Sequence, residues 1–314
     1  MRTYPIEERN GIVWTYMGAR AEPPPMPCFE AVLLGEAERN LFCVQRECNW
    51  LQGLEGDIDT SHFSFLHAGA VAFDQADPTN LGRYAMLNRA PEYHVADTDW
   101  GTMYAAYRPA EPDTTYWRVA HFMFPFWTIP PDGAFADHII ARAWVPMDDT
   151  HTMFFHVSWK KNTPGLRKFK DATPIPGVSI GNDYLPNTSD WHGRWRLKAN
   201  ATNDYLIDRD TQKSASYSGI EGIHLQDQAL TESMGEIVDH TYENLAGSDL
   251  MITRTRRRIL QAVRSAQHGI AAPGVDRPET YQGARGGDFL SPNTIGWLEA
   301  YGEQMRGSKN PTGA

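Results

Sequence analysis

Asp59, His62 and His67 follow the spacing D-x2-H-x4-H within one short stretch. Two neutral imidazoles close together are a natural start for a divalent metal site. Zinc proteases set their histidines at i and i+4 with a glutamate between. Here the step is i+5 and no glutamate intervenes, which excludes that chemistry. On a regular helix, at about 100° per residue, i and i+5 point roughly 140° apart. Both rings reach one ion only where the helix is broken or carries a π-type turn, a feature that recurs at functional sites. Asp59, three residues before His62, shares its helical face and can accept a hydrogen bond from the free ring nitrogen, as carboxylates behind metal ligands do. Two unrelated histidines on a partly buried helix would show the same spacing, so a third ligand decides. Asp227, in the segment Gln226–Gly235 (QDQALTESMG), would complete a set of two histidines and one carboxylate. That facial set leaves positions open for dioxygen and suits non-haem ferrous iron. Its rivals are Asp204, Asp208 and Asp210, in a polar loop where solvated carboxylates are expected, and Glu232, which is better placed behind the ligands than among them.

These residues need elements to hold them. From Asn49 to His67 the chain has few β-branched residues and no proline, and it is predicted to be mostly helical. Between Gly82 and Lys161 the pattern turns to strands: Tyr84–Arg89, Tyr93–Ala96, Thr102–Tyr107, Thr115–Phe126, His138–Val145 and Thr152–Trp159, with Pro, Asp and Gly between them. Short connectors imply antiparallel pairing. Period-two alternation puts Arg118, Ala120, Phe122 and Phe124 on one face. An arginine among aromatic rings can clamp the carboxylate of an aromatic acid; a salt bridge at the sheet edge is the competing use, and Arg89 and Arg142 are weaker candidates for the clamp. Lys161 to Gly222 is a long polar stretch, which in a compact domain usually serves as a lid or a subunit contact. Gln226–Leu245 reads as helix or helical turns. A further helix starts at Ser248 or Asp249 as N-cap, carries Arg254–Arg258 on an expected solvated face, and stops at Gly269. At the other end, Asn10-Gly11 marks a hairpin within Tyr4–Gly18. A lone hairpin is marginal in water, so it is expected to be the end of something larger. Ala21–Pro27 is a stiff, proline-rich connector. The organisation read from these signals is a terminal hairpin over residues 1–20 and a main domain over 21–314. The class is α+β, an antiparallel sheet with helices on one face.

Composition narrows the function further. A formal net charge of -10 over 314 residues argues against nucleic acid, which demands a basic face. No apolar run approaches the roughly 20 residues that span a bilayer, and Met1–Arg9 has no signal-peptide core, so the cytoplasm is the expected compartment. Cys28, Cys43 and Cys48 form neither a disulfide framework nor a C-x2-C pair. Asn187 and Asn200 open glycosylation-type triplets that, without an export signal, mark only polar loop.

The stretch Asn49–His67, the segment Gln226–Gly235 and the following Ile237–Leu245 resemble the catalytic domain of the large subunit of Rieske non-haem iron oxygenases, most closely the phthalate dioxygenase-like branch. Arg2–Gly18 resembles the last hairpin of that family's Rieske domain. The likeness spans nearly the whole chain, and the two motifs together are specific. It implies iron bound by His62, His67 and Asp227, and a helix-grip sheet around an apolar pocket. It also implies Asp59 as the residue that relays electrons or conformational change from a neighbouring subunit, hence a ring-shaped oligomer, commonly a homotrimer. The activity implied is hydroxylation of an aromatic acid with dioxygen, fed by a reductase or ferredoxin. Monooxygenation or O-demethylation is the alternative within the family, and a ligand-binding remnant without an electron source is the alternative outside catalysis. Two departures stand out. The family holds its [2Fe–2S] cluster by C-x-H and C-x2-H pairs, and none of the three cysteines sits in such a pair. Gly56 stands where many relatives place a polar amide near the iron.

Overall fold

The computed structural model describes residues 3–312; Met1, Arg2, Gly313 and Ala314, which belong to the two expected segments, lie outside them. Strands β1 (Ile6–Arg9) and β2 (Ile12–Thr15) form a separate antiparallel pair. Asn10 and Gly11 both take positive φ, 57° and 69°, as a tight hairpin turn requires. From this hairpin Trp14 stacks on Trp127, with ring centroids 5.6 Å apart.

The remaining strands are β3 (Arg39–Arg46), β4 (Glu92–Asp97), β5 (Gly101–Pro109), β6 (Thr114–Met123), β7 (Trp127–Ile129), β8 (Ile140–Pro146), β9 (Thr152–Trp159) and β10 (Gly287–Pro292). They make one eight-stranded sheet in the order β3-β9-β8-β7-β6-β5-β4, with β10 also on β6. Every pairing is antiparallel, as the short connectors require. One edge of β6 is shared between two partners. β7 pairs with His121–Met123 and ends at Pro130-Pro131, which have no N–H to give; β10 then takes over from Val119 to Thr114.

The helices are α1 (Glu30–Leu33), α2 (Trp50–Ile58), α3 (Tyr84–Leu87), α4 (Arg209–Ser214), α5 (Ile223–Ser233), α6 (Leu250–Gln267) and α7 (Trp297–Gly307). Tyr104, Ala106, Ala120 and Phe122 face Leu54 and Ile58 of α2 and Met251 of α6. The alternate residues Met103, Ala105, Trp117 and Val119 face Ala300 and Trp297 of α7. The class is therefore α+β, with α2 and α6 on one face of the sheet and α7 covering part of the other. α5 is held to α2 by the Gln52 amide, which donates to the carbonyls of Thr231 (3.0 Å) and Gly235 (2.9 Å).

Three local expectations need correction. Tyr84–Arg89 is not a strand: Asn80 caps a 3-10 turn at Gly82, and the chain continues into α3 with Tyr84, Ala85 and Met86 buried together. The arginines of α6 are not simply solvated. Arg254 and Arg258 pair with Asp97 of β4 at 2.7 and 3.3 Å. Arg256 bridges Glu55 of α2 (2.5 Å) and Glu243 (2.7 Å). The cluster fastens α6 to the sheet and to α2. Finally, α5 begins at Ile223 and ends at Ser233, and only His240–Tyr242 of the expected continuation is helical.

The approach of α2 to the sheet depends on Gly53. A Cβ there would lie 2.2 Å from Cζ3 of Trp144, and Trp144 is pinned by its Nε1, which donates to Thr128 Oγ1 at 3.3 Å. Gly53→Val is expected to destabilise the fold by about 1–3 kcal/mol, the usual cost of overpacking. Urea denaturation measures it; an unchanged midpoint would contradict the close packing.

Burial also sets the acid stability. Burial holds the imidazoles of His121, His138, His156 and His224 below the ordinary histidine value, His121 at about 4. The fold keeps these rings neutral while the unfolded chain would protonate them. Their contribution is full above the ordinary histidine value and is lost as pH falls through the depressed values. Each such group adds up to about 1.4 kcal/mol per pH unit. Unfolding free energies at pH 7 and pH 5 should differ by more than one group supplies; a flat profile would count against it.

Candidate metal centre

Helix α2 begins at Asn49, whose Oδ1 accepts from Leu51 N at 3.0 Å, and it ends at Ile58. Asp59 leaves the helix with φ -85° and ψ 135°, so the expected helix Asn49–His67 is broken between the first acid and the histidines. The Asp59 side chain holds the break. Its Oδ1 accepts from Ser61 N (2.8 Å), and its Oδ2 accepts from His62 N (3.0 Å) and from His62 Nδ1 (2.9 Å). A 3-10 turn then carries His62–Ser64, braced by Arg89, which donates to the carbonyls of Ser64 and Val71. Further turns lead to His67. The two rings meet edge to face, with centroids 5.0 Å apart.

His67 is oriented from the other side. Its Nδ1 donates to Gln226 Oε1 at 2.6 Å. The Gln226 amide nitrogen donates to the carbonyls of Gly177 and Ile220, both at 2.8 Å, so its oxygen must be the atom facing His67. With Nδ1 protonated on both rings, both Nε2 lone pairs are free. They face Asp227 Oδ1, at 3.6 Å from His62 and 3.1 Å from His67. One ligand atom from each of His62, His67 and Asp227 falls within 4.8 Å of the others.

This arrangement fits a cation. Two imidazole nitrogens and a carboxylate oxygen converge there, and positive charge must lie among them, as a proton on a ring or as a bound cation. Burial would raise the Asp227 carboxyl, but the neighbouring His67 and His62 outweigh it and hold it below the usual carboxylate range. At His62, burial favours the neutral ring while the hydrogen bond and charge of Asp59 pull the other way and prevail, so its affinity for a proton is raised. Two neutral nitrogens and one carboxylate are the donor set that suits non-haem ferrous iron.

The rival acids are engaged elsewhere. Asp208 caps α4 through the amides of Asp210 and Thr211. Asp210 is exposed, and Asp204 lies in an exposed loop at φ 52°. Glu232 does not back the ligands; it accepts from Glu47 N, Gln228 Nε2 and Tyr205 OH at 2.7–2.8 Å. Gln226 fills the role expected of Glu232, and its neighbour Asp227 was the only sequence signal for it.

A cavity opens beside the three ligand residues, walled by Asp57, Thr60, Phe63, Arg118, Pro130, Pro131, Asp132, Arg142 and Ile223. Arg118 is not at a sheet edge. It is buried on β6, donates from Nε to Thr60 Oγ1 at 2.7 Å, and lies 4.5 Å over the Phe63 ring. Arg142 also lines the cavity, but it forms a buried ion pair with Asp57, whose second oxygen accepts from Thr128. No local pattern signals that pair, whose members lie 85 residues apart. A second cavity shares Asp132, Arg142 and Ile223 with the first and runs past Phe42, His156 and Ser158. A Cβ on Gly56 would meet only Thr231 Cγ2, at 3.6 Å, so the space for a side chain exists there. Cys28, Cys43 and Cys48 are free, and burial pushes the thiols of Cys43 and Cys48 up to about 11. Among the described residues, no helix is long and apolar enough to cross a membrane.

Residues 15–298 match the family model described as LigXa C-terminal domain like. The 3-chlorobenzoate-3,4-dioxygenase oxygenase subunit of Comamonas testosteroni is 48% identical over 313 residues, which is 97% of this chain and 71% of that protein. The chain belongs to the Rieske non-haem iron oxygenases. Within that family it sits in the phthalate dioxygenase-like branch: the phthalate 4,5-dioxygenase oxygenase subunit of Pseudomonas putida is 33% identical over 290 residues, covering 86% of this oxygenase chain but 61% of that protein. Among solved structures, dicamba monooxygenase bound to dicamba aligns with 85% of the oxygenase chain and 71% of its own, at 13% identity and a TM-score of 0.48.

Proposed function

We propose that this oxygenase chain uses ferrous iron held by His62, His67 and Asp227 to hydroxylate an aromatic acid of the benzoate or phthalate type. The observation that carries the reading is the convergence of two free Nε2 atoms on Asp227 beside a cavity that contains a buried arginine. Iron bound there supplies open coordination positions at which dioxygen can be activated. The chain's own residues do the rest. Asp59 and Gln226 hold the Nδ1 protons and so keep both Nε2 atoms available. Arg118 receives the substrate carboxylate, and Phe63 and Ile223 present apolar surface to the ring.

A [2Fe–2S] cluster, which the family binds through C-x-H and C-x2-H pairs that Cys28, Cys43 and Cys48 do not form, would supply the electrons, fed by a reductase or ferredoxin. Asp59 also lines a second opening beside Leu230, Met234, Leu245 and Ile252, and the first three of these are about half exposed. There we place the contact with a cluster-bearing neighbour in a homotrimer, with Asp59 as the relay and the hairpin over residues 1–20 as the end of a cluster domain. The working compartment in this reading is the cytoplasm.

The test is product analysis. Iron-loaded protein, given 3-chlorobenzoate or phthalate and either hydrogen peroxide or a reduced cluster donor, should yield a cis-dihydrodiol. A phenol plus formaldehyde from a methoxybenzoate would favour the O-demethylase reading, which the 27% identity to a 5,5'-dehydrodivanillate O-demethylase oxygenase subunit keeps in view. Tight ligand binding with iron present and no oxidised product from any of these acids would leave only a binding role.

A further inference from the structure

The turn between β8 and β9 and the long loop facing it bring together a second group of ligand-type side chains that shares no residue with the first. Among the described residues, Asp148, His151 and His192 each offer one ligand atom, all within 4.8 Å of one another. His151 Nδ1 stands 3.0 Å from Asp148 Oδ1, and His192 Nε2 stands 3.0 Å from Asp148 Oδ2. The two rings lie face to face, with centroids 3.9 Å apart and planes 13° from parallel. Metal–ligand bonds of about 2.0–2.2 Å at tetrahedral angles put neighbouring ligand atoms roughly 3.3 Å apart, close to the nitrogen–oxygen separations here. The near-parallel rings must tilt for both lone pairs to reach one ion. Both side chains have that freedom, being 26% and 38% exposed.

The backbone around the group is already fixed. Asp148 Oδ1 accepts from the amides of Thr150 (2.8 Å) and His151 (2.7 Å), which orients the carboxylate before any ion arrives. His192 sits in a closed turn, where Thr188 N donates to Gly193 O and Gly193 N to Asp190 O. The pairing is long-range: the turn belongs to the sheet, whereas His192 belongs to the irregular stretch expected to act as a lid or contact.

We propose that Asp148, His151 and His192 form a second divalent-cation site, of the zinc type, on the surface of this oxygenase chain. Two imidazoles and one carboxylate are a common zinc donor set, and an exposed site leaves the remaining position to water. The ion staples the long loop to the β8–β9 turn. The effect reaches α2, because the next residue, Asp149, accepts through its carbonyl from Asn49 Nδ2 at 2.8 Å, and Asn49 is the N-cap of α2. The site is structural: it carries no part of the oxygenation and needs no particular assignment of the iron ligands.

Zinc can also enter the first site, so the test removes that site. In a full-length His62→Ala/Asp227→Ala background, equilibrium dialysis against zinc should recover one ion per chain. Adding His192→Ala should reduce this to none, and His151→Gln should do the same. Zinc should raise the thermal midpoint of the background protein by about 2–4 °C at saturating concentration, and His192→Ala should abolish that rise. In the otherwise unaltered protein, His192→Ala should leave bound iron unchanged. No zinc in the background protein, or one ion retained after His192→Ala, would overturn the proposal.

Discussion

Asp227→Ala is expected to leave the protein folded and unable to retain iron, with Asp210→Ala indistinguishable from wild type. Loss of a partner that merely orients a ligand typically costs about 10–100-fold in metal affinity. Loss of the carboxylate that faces the two Nε2 atoms should cost more than about 100-fold by the same scale, and oxygenation should disappear with it. The metal-free fold should lose only a little stability: the half-buried Asp227 carboxylate is held ionised by His67 and His62, and its removal ends those contacts. Bound iron after gel filtration and the thermal midpoint of the apo form separate the two effects. Iron lost from Asp210→Ala and kept by Asp227→Ala would overturn the assignment. Iron kept by both would make His62, His67 and water sufficient, because Glu232 is already committed to Glu47, Gln228 and Tyr205.

Arg118→Gln is expected to raise KM for an aromatic acid by about 30–1,000-fold, the equivalent of about 2–4 kcal/mol for a desolvated charge-assisted pair. A neutral amide analogue of the same ring should show little change. The variant has a second consequence to control for. Asp288, pushed up to about 6 by burial, is held lower than burial alone would allow by Arg118 and by the Tyr116 hydroxyl, which donates to Asp288 Oδ2 at 3.0 Å. Removing the guanidinium leaves that carboxyl in an apolar wall without its counter-charge, and some stability is lost with it. Arg118→Gln combined with Asp288→Asn removes both charges and should restore stability without restoring KM. An acid KM unchanged in the double variant would show that the carboxylate binds elsewhere, with Arg142 the next candidate.

The two histidines proposed as ligands stood out in the sequence because their spacing is local; Asp227, far down the chain, was proposed as their partner from its segment and that segment's resemblance to the family. Two histidines five apart pose a geometric problem, and the break at Asp59 that answers it is made by the side chain already suspected of backing His62. The hairpin-rich middle of the chain was legible for the same kind of reason: strands joined by short punctuated turns have little choice of partner. What escaped was non-local. Gln226 takes its role from the carbonyls of Gly177 and Ile220, and the latter two lie in irregular chain that no periodicity describes. The Asp57–Arg142 pair joins a helix to a strand 85 residues away. Tyr84–Leu87 is a different case: Ala, Met and Leu are helix formers and the segment follows the turn capped at Asn80, so the strand expectation there passed over a local signal. β7 and β10 are short, and neither stands out from the residues around it.

The divided edge of β6 also bears on how such a chain can change its diet. The wall of the cavity at Pro130–Asp132 begins where β7 stops, at two prolines that had no amide to contribute to the ladder. Replacing either proline breaks no strand pairing, yet it reshapes the cavity beside the proposed iron site. At Asp57, Arg118 and Arg142 a new side chain must instead be accommodated by α2, β6 or β8. Selection for a bulkier or differently substituted ring can therefore act first on these two positions, leaving the ligand geometry and the sheet as inherited.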